Sequence, residues 1–312
     1  MEKKVKIIVE RCELDRYLLK INSIFPTEKI IKNDIADEDV IKYFQDSYIG
    51  YKYFHSTEDA VHMAINYNGK FNKDGYYTQP REILQQIDEM KANRVLEIGC
   101  GKGFNSVYLA NRKPEVEFLG IDVTDKHLTI ANKKSLHLEN LVFNYGDFHK
   151  LEFKDSSFDI IFALESLCYA NDKKKALSEI YRVLKKGGKF ILYDGFKKVP
   201  LEGISDNRLI DAIILTEKSM GVNHFDSVEN WNNIANSVGF KIKINNDLSE
   251  AIMPNLGKLQ YLSRGYFKFA FLSKLFLRIL PKKMLMNSIA GLLMPFTFHC
   301  KVHGYYKIVL EK

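Results

Sequence analysis

The sequence predicts an α/β protein built on a doubly wound sheet, with a helical cap before the sheet and a helical insertion inside its last part. Three observations predict it. Apolar runs of strand length alternate with helical segments from Arg94 onward. The first of these runs ends in a glycine-rich turn that opens a helix. The alternation then breaks over residues 248–300, and HGYYKIVLEK closes the chain as one more strand.

Taken in order, residues 1–85 read as a mostly helical cap. DIADEDVIKYFQDSYIGYKYF is amphipathic, and Asn66–Gly75 is a loop by its Asn, Gly and Asp content. Tyr77–Met90 is a helix leading into the core. RVLEIG, EFLGIDV, LVFNYGD, FDIIFALES and KFILYD read as five strands. Phe104–Asn111, Asp125–His137 and Lys173–Leu184 read as helices, the last stopped by Lys185-Lys186-Gly187-Gly188. After Gly195 the rhythm slows. Ser227–Ser237 is a helix and GFKIKIN a sixth strand, which makes the closing strand the seventh. The expected division is a cap over 1–85, a core over 86–247, a basic and apolar helical insertion over 248–300, and a last core strand over 301–312.

Composition excludes several classes. Of 312 residues, 46% are hydrophobic and 27% charged, a globular balance, and aromatics reach 12%. The four cysteines, Cys12, Cys100, Cys168 and Cys300, are scattered with no C-x-x-C pair, so neither a disulfide framework nor a zinc knuckle is expected. The first twenty residues hold no apolar run suited to a signal peptide, and no stretch approaches a membrane span. A cytoplasmic location is therefore expected. The net charge of +7 is unevenly spread. From Leu256 to Leu310 there are nine basic residues and no acid, so the basic character belongs to one segment.

The strongest chemical signal is Val95-Leu96-Glu97-Ile98-Gly99-Cys100-Gly101-Lys102-Gly103. Glycines there allow close backbone approach to a ligand and left-handed φ. G-x-G alone is a weak signal shared with dinucleotide enzymes. Two details shift the reading: Glu97 lies inside the strand, and the spacing is G-x-G-x-G. A pyrophosphate site wants open helix-terminal N–H groups, whereas a cofactor bearing an amino acid wants an acid nearby.

On these residues the sequence resembles the class I S-adenosylmethionine-dependent methyltransferases, whose Rossmann-like sheet has seven strands with the last antiparallel. Its first motif matches Glu97, Gly99, Cys100, Gly101 and Gly103. The acid ending the second strand matches Asp122, followed by Val123, and in the family takes the ribose hydroxyls, which are donors. Gly146-Asp147-Phe148 matches the adenine-binding turn, with Asp147 on the amino group and Phe148 against the ring. Phe158 to Leu164 and Glu165 matches the fourth motif, which ends beside the reactive methyl, and Leu184–Phe190 the fifth. The resemblance covers residues 94–194 and implies S-adenosylmethionine as cofactor. Taken singly, Asp122 or Asp147 would read as a turn residue or helix cap, and Cys100 as an ordinary small loop residue.

A finer resemblance, through Glu165-Ser166-Leu167-Cys168-Tyr169-Ala170 and Arg182-Val183-Leu184, points to the sterol and tocopherol C-methyltransferase branch. Members often carry His where this chain has Tyr169. The aromatic run Tyr43-Phe44, Tyr48, Tyr51, Tyr53-Phe54-His55 is similar to that branch's N-terminal cap, which gives Tyr43 an expected place near the cofactor. It reads equally as the apolar face of a cap helix. The expected activity is methylation of a carbon in a hydrophobic, isoprenoid- or lipid-like small molecule. Alkene methylation leaves a cation that must lose a proton, so a general base is needed. Glu165 and Tyr169 are the candidates, with His55 and His149 as outsiders; no metal site is expected. O- or N-methylation on the same fold, and cofactor or lipid binding without turnover, stay open.

The last informative region is Leu256–Phe298. On one helix, Arg264, Lys268, Lys274 and Arg278 fall on one side, with Phe269, Leu272, Leu275, Phe276 and Ile279 largely elsewhere. That pattern suits a lid over a hydrophobic substrate, peripheral contact with a membrane, or a packed helix with a solvated face. It is too apolar for a phosphate-tracking surface, and no nucleic-acid partner is expected.

Overall fold

A computed structural model describes residues 7–312; the first six residues of the expected cap lie outside the described residues. The cap comprises α1 (Arg11–Asn22), α2 (Thr27–Lys32) and α3 (Asp37–Gly50). It continues through a π-helical turn (Tyr51–His55) and a 3-10 turn (Lys73–Tyr77) to α4 (Thr78–Met90). Next come β1 (Arg94–Ile98), α5 (Phe104–Ala110), β2 (Glu117–Asp122), α6 (Asp125–Ser135), β3 (Leu141–Tyr145), β4 (Phe158–Leu164), α7 (Lys173–Val183) and β5 (Leu184–Lys197). The chain then forms α8 (Asn207–Ser219), α9 (Val228–Val238), β6 (Lys241–Asp247), α10 (Ser249–Tyr266), α11 (Ala270–Ile279), α12 (Lys282–His299) and β7 (His303–Glu311).

The seven strands form one sheet in the order β3-β2-β1-β4-β5-β7-β6. β1 to β5 pair in parallel, and β7 runs antiparallel between β5 and β6. The strand order reverses between β1 and β4, so the crevice at the carboxyl ends of these two strands is where a ligand is accommodated. Both faces of β1 and β4 are covered, and Val95, Leu96, Ile98, Ile160 and Ile161 are fully buried. That burial is why the two strands read as continuous apolar runs rather than alternating ones. One face packs against α4–α6 and parts of α10 and α12, the other against α7 and α9.

Two elements depart from the sequence reading. β5 begins at Leu184, ahead of KFILYD, because the Lys185–Gly188 turn stays in the sheet as a bulge. The pairing steps from Phe158↔Leu184 to Ile160↔Lys189 across it. Gly187, at φ +76°, donates to the Lys312 carbonyl, and Lys312 donates back to that of Gly188. Where the rhythm slows after Gly195, the structure adds a helix not named from the sequence, α8, whose C-terminal residues Thr216–Ser219 are buried.

The one helix on which Arg264, Lys268, Lys274 and Arg278 were placed is split in two. α10 ends at Tyr266 and α11 begins at Ala270, which leaves Lys268 in the joint. Ser273 fixes this corner: its Oγ donates to the Tyr266 carbonyl at 2.6 Å, and the Tyr266 hydroxyl donates to the Ser273 carbonyl at 3.2 Å. Cap and insertion also share one apolar cluster, in which Tyr17, Ile21 and Phe25 meet Ala212 and Leu215 of α8 and Ile289, Leu292 and Phe296 of α12. They close over the same end of the sheet as one helical layer.

Candidate active site

The glycine loop after β1 is set by its backbone. Gly99, Gly101 and Gly103 take φ of +69°, +51° and +74°, a region costly for residues with a Cβ. Cys100 N–H donates to the Ile121 carbonyl at 2.9 Å, binding the loop to β2. Asp122, at the end of β2, receives the Gly101 N–H on one carboxylate oxygen and the Thr124 N–H on the other, both at 2.8 Å. A carboxylate has about four lone-pair sites, so this anchoring leaves acceptor capacity for a diol.

The loop borders a cavity of about 760 Å³. At its inner end lie Gly99, Gly101, Asp122, Val123, Asp147, Phe148, Leu164 and Glu165. His149 also borders it and holds Asp147, through its backbone N–H at 2.8 Å and its Nδ1 at 2.9 Å. Farther out the walls are Phe44, Tyr51 and Phe54 of the cap, Leu259 and Leu262 of α10, and Leu285 and Met294 of α12. Among the described residues that line the cavity there is no Lys or Arg.

Four residues assigned to the cofactor from the sequence lie off this cavity. Glu97 is 1% exposed and spends its oxygens on α5. Asn105 Nδ2 donates to Oε1 at 2.9 Å, and Ser106 N–H and Oγ donate to Oε2 at 3.2 and 2.5 Å. Its carboxyl is pushed up to about 7 by burial, against these hydrogen bonds. Glu97 therefore positions the loop and the start of α5 rather than facing the cavity. Cys100 and Gly103 are packing positions; a Cβ on Gly103 would sit 2.6 Å from the Phe143 ring. Tyr43 is turned away, its hydroxyl donating to Asn287 Oδ1 at 2.5 Å and sharing a hydrogen bond with the Tyr51 hydroxyl at 2.9 Å. Phe44 and Tyr51 present the aromatic faces instead.

Glu165 lies on the cavity wall just beyond β4, in a left-handed conformation (φ +51°) that is rare for a residue with a side chain. Its Oε1 receives the Met63 N–H at 2.6 Å and the Tyr305 hydroxyl at 2.8 Å. Burial pushes this carboxyl up to about 8; the two hydrogen bonds act against the rise. Asp194, at the inner part of β5, also lines the cavity. It receives the N–H groups of Cys168 at 2.9 Å and Gly195 at 2.8 Å, and burial raises it to about 6. The two carboxyls thus differ in proton affinity, the arrangement from which acid and base roles separate.

The other candidates fare differently. Tyr169 borders the cavity, but its hydroxyl proton is given to the Met220 carbonyl at 3.0 Å, its ring packs on Phe44, and burial raises it well above the phenolic range. It forms a wall and is a poor proton acceptor. His55 faces the cavity with its Nε2 on the His62 carbonyl, and burial lowers it to about 3, so it stays neutral. Asp194 and Tyr305 were missed in the sequence. An acid ending KFILYD at the carboxyl edge of the sheet was the available signal for the first; Tyr305 carried none.

The arrangement fits S-adenosylmethionine. Two acids at the ends of neighbouring strands offer acceptors to a diol and an amino group, beside a phenyl face and a loop that lacks side chains at Gly99 and Gly101. Comparison with known proteins agrees. The family described as "Methyltransferase domain" matches residues 89–239. The S-adenosyl-L-methionine-dependent Diels-Alderase iccD of Talaromyces variabilis is 27% identical over 263 residues, which are 77% of this chain and 87% of that protein. The sterol 24-C-methyltransferase of Kluyveromyces lactis is 32% identical over 160 residues, covering 50% of this chain but only 42% of that protein. The crystal structure of the [4+2]-cyclase SpnF shares the fold with a TM-score of 0.69 at 19% identity, over 89% of this chain and 97% of that one. Residues 89–239 thus form a methyltransferase domain, and the relatives and the shared fold support a class I S-adenosylmethionine-dependent methyltransferase.

Proposed function

We propose that this methyltransferase acts on a carbon of an uncharged, hydrophobic acceptor, isoprenoid- or lipid-like in character. One observation carries the reading: a single cavity joins the Asp122–Asp147 end to the apolar walls of α10 and α12, with two further carboxyls on its wall, Glu165 and Asp194, and no Lys or Arg among its described lining residues. An acceptor with a phosphate or carboxylate would be desolvated there without a partner, which is strongly unfavourable.

When bound, S-adenosylmethionine supplies an electrophilic methyl carried on a sulfonium. Asp122 would hold its ribose hydroxyls, Asp147 its adenine amino group, and Phe148 and Leu164 its apolar faces. Phe44 and Tyr51 offer rings to the positive charge and keep water out. The acceptor is held by apolar contact, and orientation supplies much of the rate. Attack by an alkene carbon leaves a cation, and the proton it sheds passes to a carboxylate. Asp194 is ionised at neutral pH; Glu165 becomes available as pH rises through about 8.

The deciding experiment supplies methyl-labelled cofactor with neutral polyenes and sterols, an isoprenoid diphosphate, and small amines and catechols, and follows label by mass spectrometry. Label on carbon of a neutral acceptor is expected. Transfer confined to the diphosphate, or to amines and catechols, would overturn the reading. A second reading, cyclisation of a bound polyene without methyl transfer, is favoured by the iccD relative, which this chain matches over most of its length. It would appear as an isomer of unchanged mass.

A further inference from the structure

The face of α11 turned away from the protein is apolar. Projected at about 100° per residue, the inward side chains are Ser273, which is buried, and Leu277, which is partly buried. Diametrically opposite them lie Phe271, Leu275 and Ile279, at 78%, 40% and 69% exposure. Leu272 and Phe276 extend the stripe on one side, and Phe269 stands exposed at the joint before it. A ten-residue helix thus presents to solvent the side chains a globular protein ordinarily buries.

The charge beside this stripe has one sign. Lys274 and Arg278 flank it on the same helix, and Arg264, Lys268 and Lys282 are exposed in the flanking segments. None of these five takes part in an ion pair given by the structure among the described residues. Of the region's other basic residues, Lys283 pairs with Asp39 at 3.2 Å, Lys307 with Glu82 at 2.6 Å, and Lys258 donates to the His55 carbonyl. No acid occurs between Leu256 and Leu310 to offset them. No helix among the described residues is long and apolar enough to cross a membrane.

An apolar stripe with an unpaired cationic margin on a short surface helix complements one occupant best, the anionic face of a lipid bilayer. We infer that α11 docks this enzyme on an anionic membrane surface, with Phe271, Leu275 and Ile279 entering the acyl boundary and Lys274 and Arg278 lying among the headgroups. The same helix bounds the cavity: Phe276, on the flank of the stripe, and Leu280, just after α11, both line it. Docking therefore sets the outer wall of the acceptor cavity against lipid, the phase in which a hydrophobic acceptor resides. This last step rests on the proposed acceptor class; the docking does not.

The test is flotation of the full chain with phosphatidylcholine vesicles, alone or with one third phosphatidylglycerol, at low and high salt. Binding to the anionic vesicles, weakened by salt, is expected. Lys274→Gln with Arg278→Gln should weaken it about 25-fold, each cation near the surface contributing about fivefold. Phe271→Ser with Ile279→Ser should abolish it, while calorimetric affinity for S-adenosylhomocysteine stays unchanged, which shows the variant folded. Absence of wild-type binding, or equal binding to both vesicle types, would overturn the proposal. So would sedimentation showing a dimer that Phe271→Ser with Ile279→Ser makes monomeric, since the stripe would then be an interface between copies. None of these readouts involves methyl transfer, so failure here and failure of the acceptor assignment are distinguishable.

Discussion

The Tyr305 hydroxyl reaches the Glu165 carboxylate at 2.8 Å, from the antiparallel strand β7 to the residue that follows β4. The same oxygen takes the Met63 N–H, so the cap and both strands converge on one carboxyl. If Glu165 accepts the acceptor's proton, kcat should rise as pH passes about 8, where its carboxyl ionises. Glu165→Gln should remove that limb and lower kcat by roughly 10²–10⁴-fold, the range for a lost general base. Tyr305→Phe deletes a donor that favours the ionised form, so the limb should move to higher pH. A profile flat across this range in the wild type would assign the proton to Asp194 instead.

Asp122 anchors Gly101 and Thr124 and faces the cavity. Asp122→Ala should weaken S-adenosylhomocysteine binding by about 1.5–3 kcal/mol, the worth of hydrogen bonds to a charged group. Calorimetry on the folded variant measures this; unchanged affinity would contradict the ribose assignment.

Much of this site was legible in the sequence because its landmarks are local. The Glu97–Gly103 turn, Asp122 and Asp147 each sit where a buried strand stops, and strand ends announce themselves by an apolar run giving way to Gly or Asp. What the sequence did not disclose depends on contacts across the chain. α8 went unseen because its last turn reads as a polar helix end, yet Lys218 is buried against the Asn33 carbonyl at 2.6 Å and Glu217 lies 3.2 Å from His303. The direction of Tyr43 was equally hidden, since it is set by Asn287 in α12. The break between α10 and α11 has no proline to mark it, only Gly265 and a serine whose hydroxyl turns back to Tyr266.

Gly103 separates stability from binding. Its φ of +74° and the 2.6 Å approach of a Cβ to Phe143 predict that Gly103→Ala costs about 2–4 kcal/mol, the sum of overpacking and left-handed strain. Because Gly103 does not line the cavity, the folded fraction should keep its cofactor affinity. Denaturant unfolding with and without S-adenosylhomocysteine measures both. A stable variant that has lost binding would place Gly103 at the ligand after all.

Stability should fall as pH rises from about 5 to 8, because the three carboxyls raised by burial outnumber the two histidines lowered by it, and should fall again in stronger acid. Burial raises Glu165 to about 8, Glu97 to about 7 and Asp194 to about 6. Above about pH 4 these carboxyls ionise in the unfolded chain while still protonated in the folded one. The folded state then holds more protons, and stability falls as pH rises from there through about 8. His55 and His62 behave oppositely: burial lowers them to about 3 and about 4, from 6.5. Below 6.5 the unfolded histidines take up protons that the folded ones refuse, so their contribution to stability falls as pH drops toward 4 and partly offsets that of the carboxyls. Carboxylates held below their usual range by cations, such as Asp59 beside Lys134 and Lys102, add to the acid-side loss. Thermal unfolding followed from stronger acid through this range should give a dome in Tm, and Glu97→Gln should flatten its alkaline side. A Tm that climbs steadily from pH 6 through 8 would mean that Glu165 and Glu97 ionise freely in the folded protein, and the buried-acid account of the site would fail.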